Sequence, residues 1–140
     1  MKIALADTEP VIERIIPVML ELRTQYDHSS LKKAILEQRD FGYQLAFAER
    51  DQKVLGVAGF VISRKLAWKR HMYIDDLVVT NESRSTGVGA QLLSWLKEYA
   101  ISEKCEQMHL DSGVQRFAAH KFYLDNGFSI ASHHFSLGDL

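Results

Sequence analysis

A loop with two glycines precedes a long amphipathic stretch in this 140-residue chain. The apolar run Leu77-Val78-Val79 leads through Thr80 into Arg84-Ser85-Thr86-Gly87-Val88-Gly89-Ala90. Glycines let a backbone approach an anionic group closely because they carry no Cβ. Free N–H groups at the start of a helix bind anionic oxygens. The pattern therefore predicts a phosphate cradle at residues 84–90, to which Arg84 adds a positive charge.

Two familiar phosphate motifs do not fit this loop. A Walker loop needs Gly-Lys followed by Ser or Thr, but here Gly89 is followed by Ala90 and Gln91. A dinucleotide fingerprint needs a third glycine where Leu92 stands. What remains is Arg84-x-x-Gly87-x-Gly89, which predicts a pyrophosphate cradle of a third kind. The alternative is an ordinary glycine-containing helix start with a solvated arginine.

A second motif, Ala119-His120-Lys121-Phe122-Tyr123-Leu124-Asp125-Asn126-Gly127-Phe128, follows about thirty residues later. The pair resembles the GNAT superfamily of N-acetyltransferases, whose signatures are R/Q-x-x-G-x-G/A and A-x-x-F-Y-x-x-x-G-F. The order of predicted elements is similar too, and only the first forty residues match weakly. The resemblance implies a GNAT-like fold, acetyl-CoA as co-substrate and acetyl transfer to an amine.

The resemblance also implies roles for individual residues. The backbone of Arg84, Ser85, Thr86, Gly87, Val88, Gly89 and Ala90 would hold the pyrophosphate of acetyl-CoA. Its pantetheine arm would lie along Leu77, Val78 and Val79, and Tyr123 would lie next to the sulfur. Ala119 and Phe122 belong to the second motif. Arg116 stands where many members have an Asn that touches the pantetheine. The stretch around it is similar to aminoalkylphosphonate acetyltransferases and to small histone or polyamine acetyltransferases.

Acetyl transfer to an amine needs a proton acceptor for the amine and benefits from a proton donor for the leaving thiolate. Tyr123 is the candidate acid, because a phenol is protonated at neutral pH. Asp75 is the candidate base, since alternation along a strand places it on the same face as Leu77 and Val79. Asp76 and Asp111 are the candidate substrate-binding carboxylates. Each of these residues could instead serve only in packing or ion pairing.

The histidines and the cysteine carry weaker signals. Six histidines occur without a metal-ligand spacing, so no metal is expected. His120 lies in the second motif, so a functional role stays open there as the alternative to packing. Cys105 is the single cysteine and lies away from both motifs, which indicates a packed thiol rather than an acetyl-cysteine intermediate.

Composition narrows the function classes. The length predicts a single domain over residues 1–140, and the resemblance implies that it is an acetyltransferase domain. Lys and Arg number 17 against 18 Asp and Glu, and this net charge of −1 disfavours nucleic-acid binding. The longest apolar run, Val54–Ile62, is too short to cross a membrane, which needs about 20 residues. We therefore expect a soluble, cytoplasmic protein, and the resemblance points to a homodimer as a form to test.

Hydrophobic periodicity predicts a mixed α/β fold. Strands are expected at 2–6, 43–49, 54–63, 72–79, 107–110 and 128–137. Helices are expected after an Asp7 or Thr8 cap, after a Ser29 or Ser30 cap, at 87–103 and at 115–125, and Pro17 should kink or split the first. This order predicts a mixed sheet with helices on both faces, and the resemblance to the GNAT superfamily implies that the sheet is mostly antiparallel.

The sequence thus favours an acetyl-CoA-dependent N-acetyltransferase of a small amine, acting by direct attack within a ternary complex. Two alternatives stay open. The acceptor could be an amine of a protein or peptide, or the chain could be an acyl-CoA-binding module without catalysis. The carboxylates favour a cationic acceptor, whereas Arg116 favours one with an anionic tail.

Overall fold

A computed structural model describes residues 1–140. They form two compact units, Met1–Leu110 and Asp111–Leu140. The first unit contains the elements β1 (Lys2–Leu5), α1 (Glu9–Leu22), α2 (His28–Arg39), β2 (Tyr43–Arg50), β3 (Lys53–Lys65), β4 (Lys69–Val79), a short 3₁₀ turn (Asn81–Ser83), α3 (Val88–Ser102) and β5 (Gln107–Leu110). The second unit contains α4 (Phe117–Asp125).

The first unit is built on a five-stranded sheet with the order β1-β2-β3-β4-β5. The first three pairings are antiparallel, and β4 and β5 run parallel. The predicted mixed, mostly antiparallel sheet is therefore confirmed. None of the helices has the length and apolar character that crossing a membrane requires.

Helices cover both faces of this sheet. One face carries Tyr43, Leu45, Phe47, Val57 and Val78, which pack with buried residues of α1 and α2. The opposite face carries Ala48 and Leu55, which pack with Val88 of α3. This arrangement buries the apolar helix stripes that the sequence predicts, since each stripe finds an apolar sheet face.

Two helix predictions differ from the structure. Pro17 predicts a kink or a split in the first helix, and the split does not occur, because α1 is continuous from Glu9 to Leu22. Pro17 is exposed, whereas Ile15, Ile16, Val18 and Met19 around it are buried, so core packing holds the helix together. The cap of α2 is Asp27 and neither serine, because its carboxylate accepts the N–H of Ser30 while the Ser30 hydroxyl accepts the N–H of Asp27.

The connections of the first unit follow local sequence signals. A hairpin joins β2 and β3, and its two central residues, Asp51 and Gln52, both have positive φ. This backbone conformation is that of the tight turns that match strand twist. The basic segment between β3 and β4 also forms a hairpin, with its turn at residues 66–68. His71, near the start of β4, is buried, whereas the turn residue Leu66 is fully exposed.

The second unit consists of α4 and a chain end without regular structure. The helix ends at Asp125, and Gly127 follows with φ +91°, as Asn126-Gly127 predicts. The predicted strand at 128–137 is absent. Its alternating apolar residues are exposed, Ile130 at 76% and Phe135 at 90%. A strand needs a neighbouring strand to hydrogen-bond with, and residues 128–137 have no such neighbour. Their alternating periodicity alone therefore does not produce a strand.

Candidate active site

The predicted phosphate cradle is a loop fixed by its own hydrogen bonds. The Thr86 hydroxyl donates to the carbonyl of Ser83, and the Ser83 N–H donates to the carbonyl of Thr80 at 2.9 Å. From outside the loop, Glu21 of α1 accepts the N–H of Asn81 at 3.2 Å. Lys53 pairs with Glu82 at 2.5 Å. The loop is therefore preorganised before any ligand binds.

The residues of this loop fit an anionic group. Gly87 caps α3 with φ +90°, and Ser85 has φ +63°. The first turn of α3 leaves the N–H groups of Val88, Gly89 and Ala90 without intrahelical acceptors. Free backbone N–H groups at a helix N-terminus are donors that a pyrophosphate requires.

The strand before the loop has one open edge. Strand β5 pairs with β4 only from His71 to Ile74, because β5 ends at Leu110. Beyond Ile74, β4 continues to Val79 with β3 as its only strand neighbour. Polar backbone atoms at residues 75–79 therefore remain without a strand partner on the β5 side.

A β-bulge lies where this open edge begins. Gly59 pairs with Asp76 and Phe60 pairs with Ile74, so Asp75 is the extra residue of β4. Strict alternation fails at a bulge, which re-aims side chains. Alternation therefore does not place Asp75 and Asp76 on opposite faces at this position, and the two carboxyls interact electrostatically.

Asp76 is held by two neighbours. Arg23 Nε donates to Asp76 Oδ1 at 2.8 Å, and the Tyr43 hydroxyl donates to Oδ2 at 2.5 Å. The Asp76 side chain is only 12% exposed. Burial, followed by the negative charge of Asp76, raises the pKa of Tyr43, so its hydroxyl stays a donor. Both oxygens of Asp76 are thus engaged within the protein.

Asp75 lies in a different environment. It is exposed to solvent at the bulge, and partial desolvation together with the Asp76 carboxylate raises its pKa to about 6. The nearby Arg23 guanidinium acts in the opposite direction. A carboxyl with a pKa near neutrality exchanges protons readily at physiological pH, which is the property required of a general base.

Three residues of this cluster were not singled out from the sequence. Arg23 and Tyr43 lie 53 and 33 residues from Asp76, and nothing local marks them. Gly59 did carry a signal, because an isolated glycine inside an apolar strand indicates a bulge or a close approach. A Cβ at Gly59 would lie 2.8 Å from Tyr43 Cε1 and closer still to the rest of the phenol.

The second unit holds the residues of the second motif. Tyr123 packs against the rings of Phe122 and Phe128, and burial raises its pKa, with Arg116 opposing. Arg116 is the N-cap residue of α4, while Ala119 lies in its first turn. The raised pKa keeps the Tyr123 phenol protonated at neutral pH, as a proton donor requires.

The remaining candidates have ordinary partners. Asp111 lies 3.2 Å from His134 Nδ1, and His120 Nε2 lies 2.7 Å from the carbonyl oxygen of Gly113. Cys105 is half-buried, and desolvation raises the pKa of its thiol. A thiol with a raised pKa is a poor nucleophile at neutral pH.

Comparison with known proteins decides the family. The acetyltransferase (GNAT) family model matches residues 11–128. The chain belongs to the acetyltransferase (GNAT) family. As a GNAT N-acetyltransferase, it shares the mixed α/β architecture described above, and the resemblance seen in its two motifs is confirmed.

Relatives support this assignment. An uncharacterized N-acetyltransferase of Bacillus subtilis, YhdJ, is 32% identical over 121 residues, which is 85% of each chain. An aminoalkylphosphonate N-acetyltransferase of Salmonella typhimurium is 38% identical over 55 residues, or 39% of this chain and 36% of the relative. The structure of the aminoglycoside acetyltransferase AAC(6')-Iy with a CoA-acetylneamine bisubstrate analogue has the same fold. Its TM-score is 0.83 at 16% identity, with 99% and 97% of the two chains covered.

Proposed function

We propose that this GNAT enzyme transfers the acetyl group of acetyl-CoA to a primary amine of a small molecule by direct attack in a ternary complex. The observation that carries the proposal is Asp75, a solvent-accessible carboxyl with a pKa of about 6 at the bulge where β4 loses its β5 partner. The family match extends across both units, which supports a single acetyltransferase domain over residues 1–140.

The cofactor-binding residues follow from the loop. The backbone of residues 84–90 would hold the pyrophosphate, and residues 77–79 would flank the pantetheine arm, with Arg116, Ala119 and Phe122 contributing from the second motif. When bound, acetyl-CoA supplies an activated acyl thioester. The N–H groups along the open edge of β4 are suited to binding a carbonyl oxygen as negative charge develops on it.

Asp75 would accept the proton of the acceptor. A primary ammonium has a pKa near 10.4 and must lose a proton before it can attack a carbonyl. At pH 7 a carboxyl with a pKa of about 6 is mostly ionised, so Asp75 can first bind the ammonium and then pass its proton to water. Asp76 is already paired with Arg23 and Tyr43, which leaves Asp75 as the carboxylate available to the amine.

Tyr123 would hold the proton that the leaving thiolate needs. Its phenol keeps this proton because burial raises its pKa. Cys105 is unsuited to carry the acetyl group, since its own pKa is raised as well. These two properties favour direct transfer over a covalent acetyl-enzyme. The presence of Tyr123 at its position in the second motif favours an enzyme over a non-catalytic acyl-CoA-binding module.

The charged residues of the proposed site favour two different classes of acceptor. Asp75, with Asp111 as a further carboxylate, favours an amine that is protonated in solution. Arg116 favours an acceptor with a phosphonate or carboxylate tail, and the aminoalkylphosphonate N-acetyltransferase relative gives this second candidate weight. Acetylation of a protein amine is the remaining alternative.

A thiol-release assay with acetyl-CoA and a panel of small amines and peptides tests the reaction. We expect turnover with at least one small amine and a loss of CoA binding in Gly89→Glu, because a carboxylate would enter the cradle. Calorimetry that finds unchanged CoA affinity in folded Gly89→Glu would exclude this site. Binding without turnover across the panel would favour the non-catalytic module, and turnover of peptides alone would favour the protein acceptor.

A paired comparison tests the acceptor class. Spermidine and aminomethylphosphonate are assayed with the wild type, Asp75→Asn and Arg116→Ala. We expect spermidine to be acetylated faster and Asp75→Asn to lower that rate. If the phosphonate is the better substrate and only Arg116→Ala slows it, the cationic acceptor is wrong.

A further inference from the structure

The C-terminal end of α1 reaches the bulge of β4 through one side chain. Arg23 is the residue that follows the last turn of α1, and its own N–H donates to the carbonyl of Met19. Its guanidinium makes two contacts with the bulge. Nε donates to Asp76 Oδ1 at 2.8 Å, and Nη2 donates to the backbone carbonyl of Asp75 at 2.9 Å.

These two contacts hold the Asp75–Asp76 segment, one at the carbonyl of the bulged residue and the other at the side chain of the residue after it. A guanidinium presents its donors in a rigid planar fork, so the Asp76 carboxylate and the Asp75 carbonyl are held at a defined separation. Tyr43 completes the arrangement from β2, because its hydroxyl occupies the second oxygen of Asp76. Gly59 leaves the space that the Tyr43 ring needs.

We propose that Arg23 is a positioning residue of the acetyl transfer, which holds the bulged Asp75 peptide in place through the Asp76 carboxylate and the Asp75 carbonyl. This inference rests on the proposed role of Asp75 as the proton acceptor. Arg23 acts through the bulge, and Tyr43 supports it by fixing Asp76.

Electrostatics gives this role a signature that simple packing would not have. The groups that face Asp75 within the first unit are the Asp76 carboxylate, the Arg23 guanidinium and the Tyr43 phenol. Removing the Arg23 cation removes the one influence that lowers the pKa of Asp75. That pKa should therefore rise, and the acidic limb of the rate profile should move to higher pH.

The same helix offers a matched control. Arg14 of α1 also pairs with a carboxylate, Glu49 at 2.6 Å, and also donates to a backbone carbonyl, that of Gln52 at 2.9 Å. The side chains of Arg14 and Arg23 are both 39% exposed. Arg14 does not contact the bulge, so Arg14→Gln removes an equivalent pair of interactions elsewhere.

The experiment compares full-length wild type, Arg23→Gln, Arg23→Lys, Arg14→Gln and Asp75→Asn. We measure kcat and the acetyl-CoA KM against pH with spermidine or aminomethylphosphonate, whichever the wild type acetylates faster. Misplacement of a reacting group costs up to about 100-fold in rate. We expect Arg23→Gln to lower kcat by about 10-fold or more, to leave the acetyl-CoA KM within about two-fold and to move the acidic limb upward. Arg14→Gln should neither lower kcat nor move the acidic limb.

Arg23→Lys separates charge from geometry. An ammonium keeps the positive charge but lacks the planar fork, so the acidic limb should stay close to that of the wild type while kcat still falls. This variant also carries the test if Arg23→Gln does not fold. A kcat in Arg23→Lys equal to that of the wild type would show that the fork does not position the bulge.

Carbon NMR of the Asp75 carboxyl supplies a readout independent of turnover. Its titration midpoint should move to higher pH in Arg23→Gln and stay unchanged in Arg14→Gln. The inference is overturned if Arg23→Gln matches Arg14→Gln in kcat and in this midpoint while Asp75→Asn is impaired. A wild type that acetylates neither probe would instead count against the proposed function, and the NMR midpoints would still decide whether Arg23 acts on Asp75.

Discussion

Replacing Gly59 with alanine should destabilise the protein strongly, because Gly59 and the buried Tyr43 share one space. The added Cβ would lie 2.8 Å from Tyr43 Cε1 and closer to Cζ and the hydroxyl, so the ring must move. Tyr43 is 5% exposed and packs in the core against α1 and α2, which leaves it no open space to enter.

The magnitude combines two costs. Forcing extra atoms into a packed core costs about 1–3 kcal/mol. Moving the phenol also breaks its hydrogen bond to the Asp76 carboxylate, and bonds to charged groups contribute about 1.5–3 kcal/mol. We therefore expect Gly59→Ala to lower the free energy of unfolding by about 3–5 kcal/mol, a large share of the ~5–15 kcal/mol typical of a domain.

Urea unfolding followed by circular dichroism measures this effect in a double-mutant cycle. Tyr43→Leu removes Cε1, Cζ and the hydroxyl, so Gly59→Ala should cost about 1 kcal/mol or less in that background. Gly138→Ala is the control, since a Cβ there meets nothing within 4 Å. The reasoning is refuted if Gly59→Ala costs the same in the Tyr43→Leu background as in the wild type, or if its cost in the wild type is below about 1 kcal/mol.

Three further predictions concern single residues. The pKa of Asp75 is about 6 in the folded protein, above its ordinary value, so Asp75 contributes stability at low pH that is lost as pH rises through 6. Asp75→Asn should therefore raise the Tm relative to the wild type at pH 7.5 but not near pH 4, and an equal Tm difference at both pH values would contradict this. Tyr123→Phe should lower kcat by about 10²–10⁴-fold with little change in the acetyl-CoA KM, and near wild-type turnover would reduce Tyr123 to a packing residue. Lys104 has φ +62° in the turn that closes α3, so Lys104→Gly should stabilise the protein by about 1 kcal/mol in urea unfolding, and an unchanged midpoint would count against it.

Local patterns in the sequence were sufficient for much of the fold and for the family. The helix start at Gly87, the apolar stripe of α3 and the helix end at Asn126-Gly127 are each predicted by local residues and observed. These signals succeed because helix stripes, helix ends and tight turns depend on residues a few positions apart. The motif order that indicated a GNAT acetyltransferase is local in the same sense.

Other features depend on contacts between distant parts of the chain. The bulge at Asp75 arises from the register of β3 against β4, and Asp76 is fixed by residues 53 and 33 positions away. Strand periodicity places Asp75 and Asp76 on opposite faces, but it does not predict a bulge. The different environments of the two carboxyls could therefore not be predicted.

Tertiary contacts also decided which structure two segments with strong local patterns adopt. Pro17 removes one hydrogen-bond donor from α1, yet the buried residues around it keep the helix continuous. Residues 128–137 alternate like a strand but have no hydrogen-bonded partner, so they form none. The sequence by itself determined which segments are able to form helices, turns and strands. Tertiary packing decided which of them do, because a core stabilises a flawed helix and a strand exists only beside another.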